Sequence, residues 1–140
     1  MLGTLGVWLL LAGPIAEAER LASAALREAD PKASLALAQR ALLGSAEFDA
    51  TAFVRAGRKG EVVEDAFQES LRAYRRHRAL VYQAVGAAHA AGGAHQVAER
   101  YLRRALLLEP DRARVVRLCR ELIALGRGSA ALDLDRKSVV

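Results

Sequence analysis

The stretch from Ala79 to Pro110, ALVYQAVGAAHAAGGAHQVAERYLRRALLLEP, decides the fold. Small and apolar residues recur at helical spacing on both sides of Gly92-Gly93, and glycine ends a helix without steric cost. The spacing predicts one helix over Ala79 to Ala91 and a second over Ala94 to Leu108. Glu109-Pro110-Asp111 then stops the second and starts another. The second half carries Arg104-Ala105-Leu106, and the triplet has earlier copies at Arg72-Ala73-Tyr74 and Arg40-Ala41-Leu42, the three standing at equal intervals. The same interval aligns Leu21, Phe53 and Val85, then Ala22, Val54 and Gly86, then Ser34, Ala66 and Ala98. A period between roughly 20 and 50 residues marks a repeat array, in which each unit buries its apolar face only by stacking on a neighbour.

Composition supports an all-α chain. Of 140 residues, 53% are hydrophobic but only 5% aromatic, so Ala and Leu must fill the core, and both favour helix. Lys and Arg number 21 against 16 Asp and Glu, a net charge of +5 that favours acidic partners without making a nucleic-acid tail. The single Cys119 excludes an internal disulfide and any multi-cysteine metal site. Upstream, helices are predicted over Ile15 to Ala29, Lys32 to Leu43, Glu47 to Ala56 and Glu61 to His77. Asp30-Pro31 divides the first pair, as cap and first-turn proline, and Gly57-Arg58-Lys59-Gly60 divides the second. Downstream, one helix is predicted over Arg112 to Leu125 and a last begins near Ser129.

Tyr82, Val85, Gly86, Ala98, Leu102, Ala105 and Pro110 stand at the spacing of a tetratricopeptide repeat, and the chain from about Ile15 onward resembles that family. Gly86 and Ala98 are small enough for paired helices to approach closely, with Tyr82, Leu102 and Leu106 filling the space around them. The resemblance implies a superhelix (solenoid) of antiparallel helix pairs in units of about 15–46, 47–78, 79–112 and a partial 113–134. The first two units depart from it, with Ala18 and Ala50 where Tyr82 stands, no closing proline and an interval shorter than the family's period. Val116, Cys119 and Ile123 stand one full family period after Tyr82, Val85 and His89, which suggests the fourth unit.

Both ends read differently from the array. Met1 to Ala12 is apolar, Gly13-Pro14 would break a helix, and Ala16-Glu17-Ala18 has the small-x-small form of a signal-peptidase site, though no basic residue stands near Met1. Two readings stay open: a secretory signal, with a periplasmic or secreted bacterial product, or the start of a buried helix in a cytoplasmic one. The segment is too short to span a bilayer. Asp135-Arg136-Lys137-Ser138-Val139-Val140 reads as the translation of a common sequencing adapter, so the natural chain is expected to continue past Leu134.

The family's geometry implies a concave groove lined by the first helix of each pair, placing Arg20, Ser23, Arg27, Arg55, Arg58, Lys59, Gln83, Arg114 and Arg117 on or near it. A basic wall of this kind suits an acidic or extended peptide, and the alternative is a set of solvated charges balancing nearby glutamates. The chain contains no Asn, which argues against the chaperone-tail clamp of some family members. Arg72, Arg75, Arg76 and Arg78 crowd the expected end of a helix, and Arg100, Arg103 and Arg104 lie on an outer one. With no aromatic platform beside them, they read as a solvated face rather than a nucleic-acid site. His77, His89 and His95 lack metal-pair spacing, Cys119 sits on an apolar helix face, and no phosphate loop is present. The reading is a protein-interaction scaffold without cofactor, metal or catalytic residues. Its alternatives are the interaction module of a larger exported or envelope-associated protein or enzyme and a weak nucleic-acid binder.

Overall fold

The computed structural model describes residues 4–46 and 64–138. These form six α-helices and no strand: α1 Thr4–Arg27, α2 Pro31–Ala46, α3 Glu64–Ala91, α4 His95–Leu108, α5 Arg112–Ala124 and α6 Gly128–Ser138. The turns follow the residues that predicted them. Asp30 accepts the Ala33 amide at 3.0 Å to open α2, and Asp111 accepts the Arg114 amide at 2.9 Å to open α5. α3 ends on Gly93 at φ 84° and α5 on Gly126 at φ 74°. In both turns the amide after the glycine reaches back to a helix carbonyl, Ala94 to His89 at 2.9 Å and Arg127 to Leu122 at 2.7 Å. This is the Schellman arrangement, whose left-handed residue carries no penalty when it is glycine.

Two expected breaks are absent. α1 runs straight through Gly13-Pro14, because a proline removes a single backbone bond and the leucines and alanines on either side favour helix. α3 joins the segments expected as Glu61 to His77 and Ala79 to Ala91 into one 28-residue helix. Only the repeat period placed a boundary there. The intervening Tyr74 to Val81 contains no glycine or proline, so nothing stops propagation. The helix Glu47 to Ala56 and the turn Gly57 to Gly60 lie outside the described residues. No helix among the described residues is long and apolar enough to cross a membrane.

Short connections pack α1 on α2, α3 on α4 and α5 on α6, while α3 also covers α1 and α2. One core joins Ala18, Leu21, Ala22 and Ala25 of α1, Ala38 and Ala41 of α2, and Val81, Ala84, Val85 and Ala88 of α3. The second joins Leu102 of α4, Leu118 and Leu122 of α5, and Ala131 of α6. α4 is the wall between them, with Tyr101 packed against the first and Leu106 against the second.

Burial repeats with the sequence. Leu21 and Val85, Ala22 and Gly86, Ser34 and Ala98, Ala38 and Leu102, and Ala41 and Ala105 are all buried, the members of each pair standing two periods apart. The fourth unit corrects the expected register. Val115, Leu118 and Leu122 are buried, whereas Ile123 is 63% exposed and Val116 and Cys119 are half-buried. The interval to this unit is therefore one residue shorter than the family period, as Gly93 to Gly126 and Ala98 to Ala131 also show. The turn glycine sets this register, since only it takes the left-handed backbone cheaply. Cys119 thus stands where Gly86 stands one unit earlier, its Sγ 3.5 Å from the Ala131 carbonyl oxygen.

The tightest helix contact is at Gly86. A Cβ built there would lie 2.8 Å from Leu102 Cγ and 3.3 Å from the Ala98 carbonyl oxygen, and Leu102 is fully buried with nowhere to retreat. Gly86→Ala gains about 1 kcal/mol of helix propensity and loses about 1–3 kcal/mol to overpacking. Urea unfolding should show a net loss near ~1 kcal/mol that shrinks when Leu102→Ala is also present. A variant more stable than the parent would refute the close approach.

Candidate functional site

The most chemically distinctive concavity is a cleft of about 270 Å³ between α3 and α5. Ala87, Ala90 and Ala91 of α3 and Leu102 of α4 give it short apolar walls, while Arg117, Arg120 and Glu121 of α5 supply charge. The helix spacing explains the grouping: residues three and four apart share a face, so 117, 120 and 121 point the same way once α5 packs through Leu118 and Leu122. Glu121 does not neutralise the arginines. It is largely buried, and its Oε2 lies 2.6 Å from His95 Nδ1, a contact that ties α5 to α4. Arg117 and Arg120 make no ion pair among the described residues. Two guanidiniums beside alanine walls can receive a carboxylate, with room for its short aliphatic stem.

Other residues expected on the groove are placed differently. Arg114 is buried, its Nη1 donating to the Glu109 carbonyl oxygen at 2.9 Å and to Glu109 Oε1 at 3.0 Å, so it clasps the α4–α5 turn. Arg20 pairs with Glu17 at 2.6 Å on the exposed face of α1, which holds the Glu17 carboxyl below its usual range. Arg27 is exposed at the end of α1, while Ser23 and Gln83 are half-buried. Arg55, Arg58 and Lys59 lie outside the described residues. Tyr82 packs against Tyr101 at 5.9 Å between ring centres, and His89 stacks on the same ring at 6.0 Å.

The arginine cluster expected at a helix end sits in the middle of α3, where no terminal dipole acts on it. Two of its members are engaged internally. Arg76 donates to Glu109 at 3.2 Å, and Arg78 donates to Ser45 Oγ at 2.8 Å and to the Tyr82 hydroxyl at 2.5 Å.

Ser45 opens onto a buried polar network that composition alone does not single out. His77 is fully buried, with Nε2 3.1 Å from Ser45 Oγ and Nδ1 3.7 Å from Glu19 Oε1. Arg78 can only donate, so the serine accepts from it, and the imidazole tautomer decides whether the hydroxyl donates to His77 Nε2 or accepts from it as well. Serine, imidazole and carboxylate in this order have the connectivity of a nucleophilic triad. Ser45 and His77 are nevertheless both closed to solvent, and no substrate carbonyl can reach the hydroxyl. The network joins α1, α2 and α3. Its sequence signal is the period itself: Ser45, His77 and Glu109 each stand five places after the arginine of a repeated triplet. Burial and the nearby Asp135 raise the Cys119 pKa, which disfavours its thiolate. Among the described residues, no group of His, Cys, Asp or Glu could hold a metal ion.

No protein-family model, curated protein or solved structure matches this chain.

Burial, followed by the charge of Arg78, pushes the His77 pKa down from 6.5 to about 4. Between these values the unfolded chain takes up a proton that the folded chain refuses, so stability falls as the pH drops, by on the order of 2 kcal/mol. Glu19 opposes this near its own range, because burial raises its carboxyl pKa and the folded form then binds the proton first. The loss should therefore be steepest between about pH 6.5 and 5, and His77→Phe should flatten it. Urea midpoints across this range test it, and identical slopes in the two proteins would exclude His77 as the cause.

Proposed function

We propose that the chain is a tetratricopeptide-like interaction scaffold that holds an acidic, extended peptide along its stacked helix pairs. The observation that carries this reading is the alanine-walled cleft lined by Arg117 and Arg120, which make no ion pair among the described residues. Burial that recurs at the interval of the repeated triplets supports the helix-pair units, and the close approach at Gly86 supports the family's way of packing them. Recognition would rest on a peptide carboxylate entering between α3 and α5 while the peptide backbone lies across the half-buried face that includes Gln83. The scaffold performs no bond chemistry of its own in this reading. It contributes a preformed surface, so the ordering cost falls mainly on the peptide.

Nucleic acid is the weaker reading, because Arg76 and Arg78 are engaged within the fold and Arg103 pairs with Glu99 at 2.6 Å. Fluorescence anisotropy of the full chain with labelled Glu-rich, neutral and Lys-rich peptides separates the cases. The Glu-rich peptide should bind best, persist at physiological salt and weaken about tenfold with Arg117→Ala but not with Arg100→Ala. Equal binding of all three peptides, or no effect of Arg117→Ala, would remove the cleft from the reading.

A further inference from the structure

The outer face of α5 and α6 forms a second, larger groove of about 540 Å³, lined by Val116, Cys119, Arg120 and Ile123 on α5 and by Ala131, Leu132 and Asp135 on α6. Its lining is predominantly apolar. Ile123 and Leu132, 63% and 60% exposed, are two of the most exposed large apolar side chains described. One unit earlier the corresponding surface of α3 and α4 is covered by α5, so the repeat shows what this face accommodates: a helix lying across the pair.

The charges on the groove indicate which helix. Arg120 belongs to one rim and Asp135 to the other, and the two are opposite in sign. Asp135 Oδ1 accepts from Arg112 Nη1 at 2.8 Å, and its second carboxylate oxygen can accept from another guanidinium. Arg120 makes no ion pair among the described residues. A surface with an apolar floor, a cation on one rim and an anion on the other is self-complementary under a two-fold rotation, which sets each Arg120 against the other copy's Asp135. We propose that this face is the interface between two copies of the chain, closed by two reciprocal Arg120–Asp135 pairs over Ile123 and Leu132. The proposal concerns the 140-residue chain, in which Asp135 opens the adapter-like stretch.

Burying the four large apolar side chains of a pair of copies supplies the attraction, and the charge pairs fix the orientation. A two-fold contact also closes on itself, whereas a head-to-tail contact at the same face would extend into open chains. Arg120 lines both concavities, whereas Arg117 lines only the peptide cleft and Ile123 and Asp135 only this groove, so Arg117→Ala on one side and Ile123→Glu and Asp135→Arg on the other separate loss of peptide binding from loss of association.

Sedimentation equilibrium of the full chain over a wide concentration range tests the assignment, with circular dichroism confirming that each variant keeps its helix content. The parent should fit a monomer–dimer equilibrium. Arg120→Glu and Asp135→Arg should each weaken it about a hundredfold, because one substitution removes both pairs. Mixing the two single variants should restore dimers, since a mixed pair sets the introduced glutamate against the introduced arginine and keeps one native Arg120–Asp135 pair. Ile123→Glu should abolish association while leaving folding intact, its side chain being exposed in the monomer. A parent that stays monomeric, a dimer indifferent to Ile123→Glu, single variants that fail to recover on mixing, or oligomers that grow without limit would each overturn the proposal.

Discussion

The distance at which α3 can lie against α4 governs the rest of the molecule. Gly86 has no side chain, so Leu102 packs onto the backbone of α3 and the two helices meet more closely than alanine would allow. The same contact places Tyr101 on the first core and Leu102 in the second, so one helix serves two cores. A core built mostly of alanine gains little from each residue, because small side chains remove little apolar area from water. Close approach compensates, since dispersion grows with the number of atoms in contact and falls quickly across a gap. Cys119 occupies the equivalent place in the next pair and meets Ala131 at the edge of contact, which shows the same constraint met by a slightly larger side chain.

Alanine packing also leaves register weakly specified, because alanines on neighbouring turns are interchangeable. Polar contacts supply what shape does not. Ser45 to His77 links α2 to α3, Arg76 to Glu109 links α3 to the end of α4, and His95 to Glu121 links α4 to α5. Each would be broken by sliding a helix one turn. Of these, Ser45 and His77 are fully buried and Glu121 largely so, and buried polar groups cost free energy when left unmatched, which is why they discriminate between registers more sharply than alanines do.

Much of this is legible in the sequence, for identifiable reasons. Helix ends are readable wherever a residue with one dominant role stands, as at Asp30, Gly93 and Asp111. The boundary expected inside α3 misleads because a repeat period states where units begin but not whether the backbone breaks there. The fourth unit's register slips by one place for a related reason: Val115 and Val116 are chemically alike, and only the turn at Gly126 separates buried from half-buried. Arg114 reads as a groove residue because sequence gives the face of a helix but not the turn that folds back over it. The cleft itself is legible only through Arg117, since its walls are alanines that carry no signal.

Charge placement gives the clearest link between this packing and binding. The described carboxylates are largely consumed inside the fold: Glu17 holds Arg20, Glu99 holds Arg103, Glu109 holds Arg76 and Arg114, Glu121 holds His95, and Asp135 holds Arg112. Arg72, Arg75, Arg100, Arg117 and Arg120 have no such partner among the described residues. Each of the arginine pairs takes up an arginine together with its acid, so the pairing leaves the net charge of +5 unchanged and carried by the arginines that remain. A surface of this kind draws acidic partners by long-range attraction from any direction. Discrimination among them has to come from places where unpaired arginines meet a concave wall, and at the α3–α5 cleft two of them do so within one helical turn.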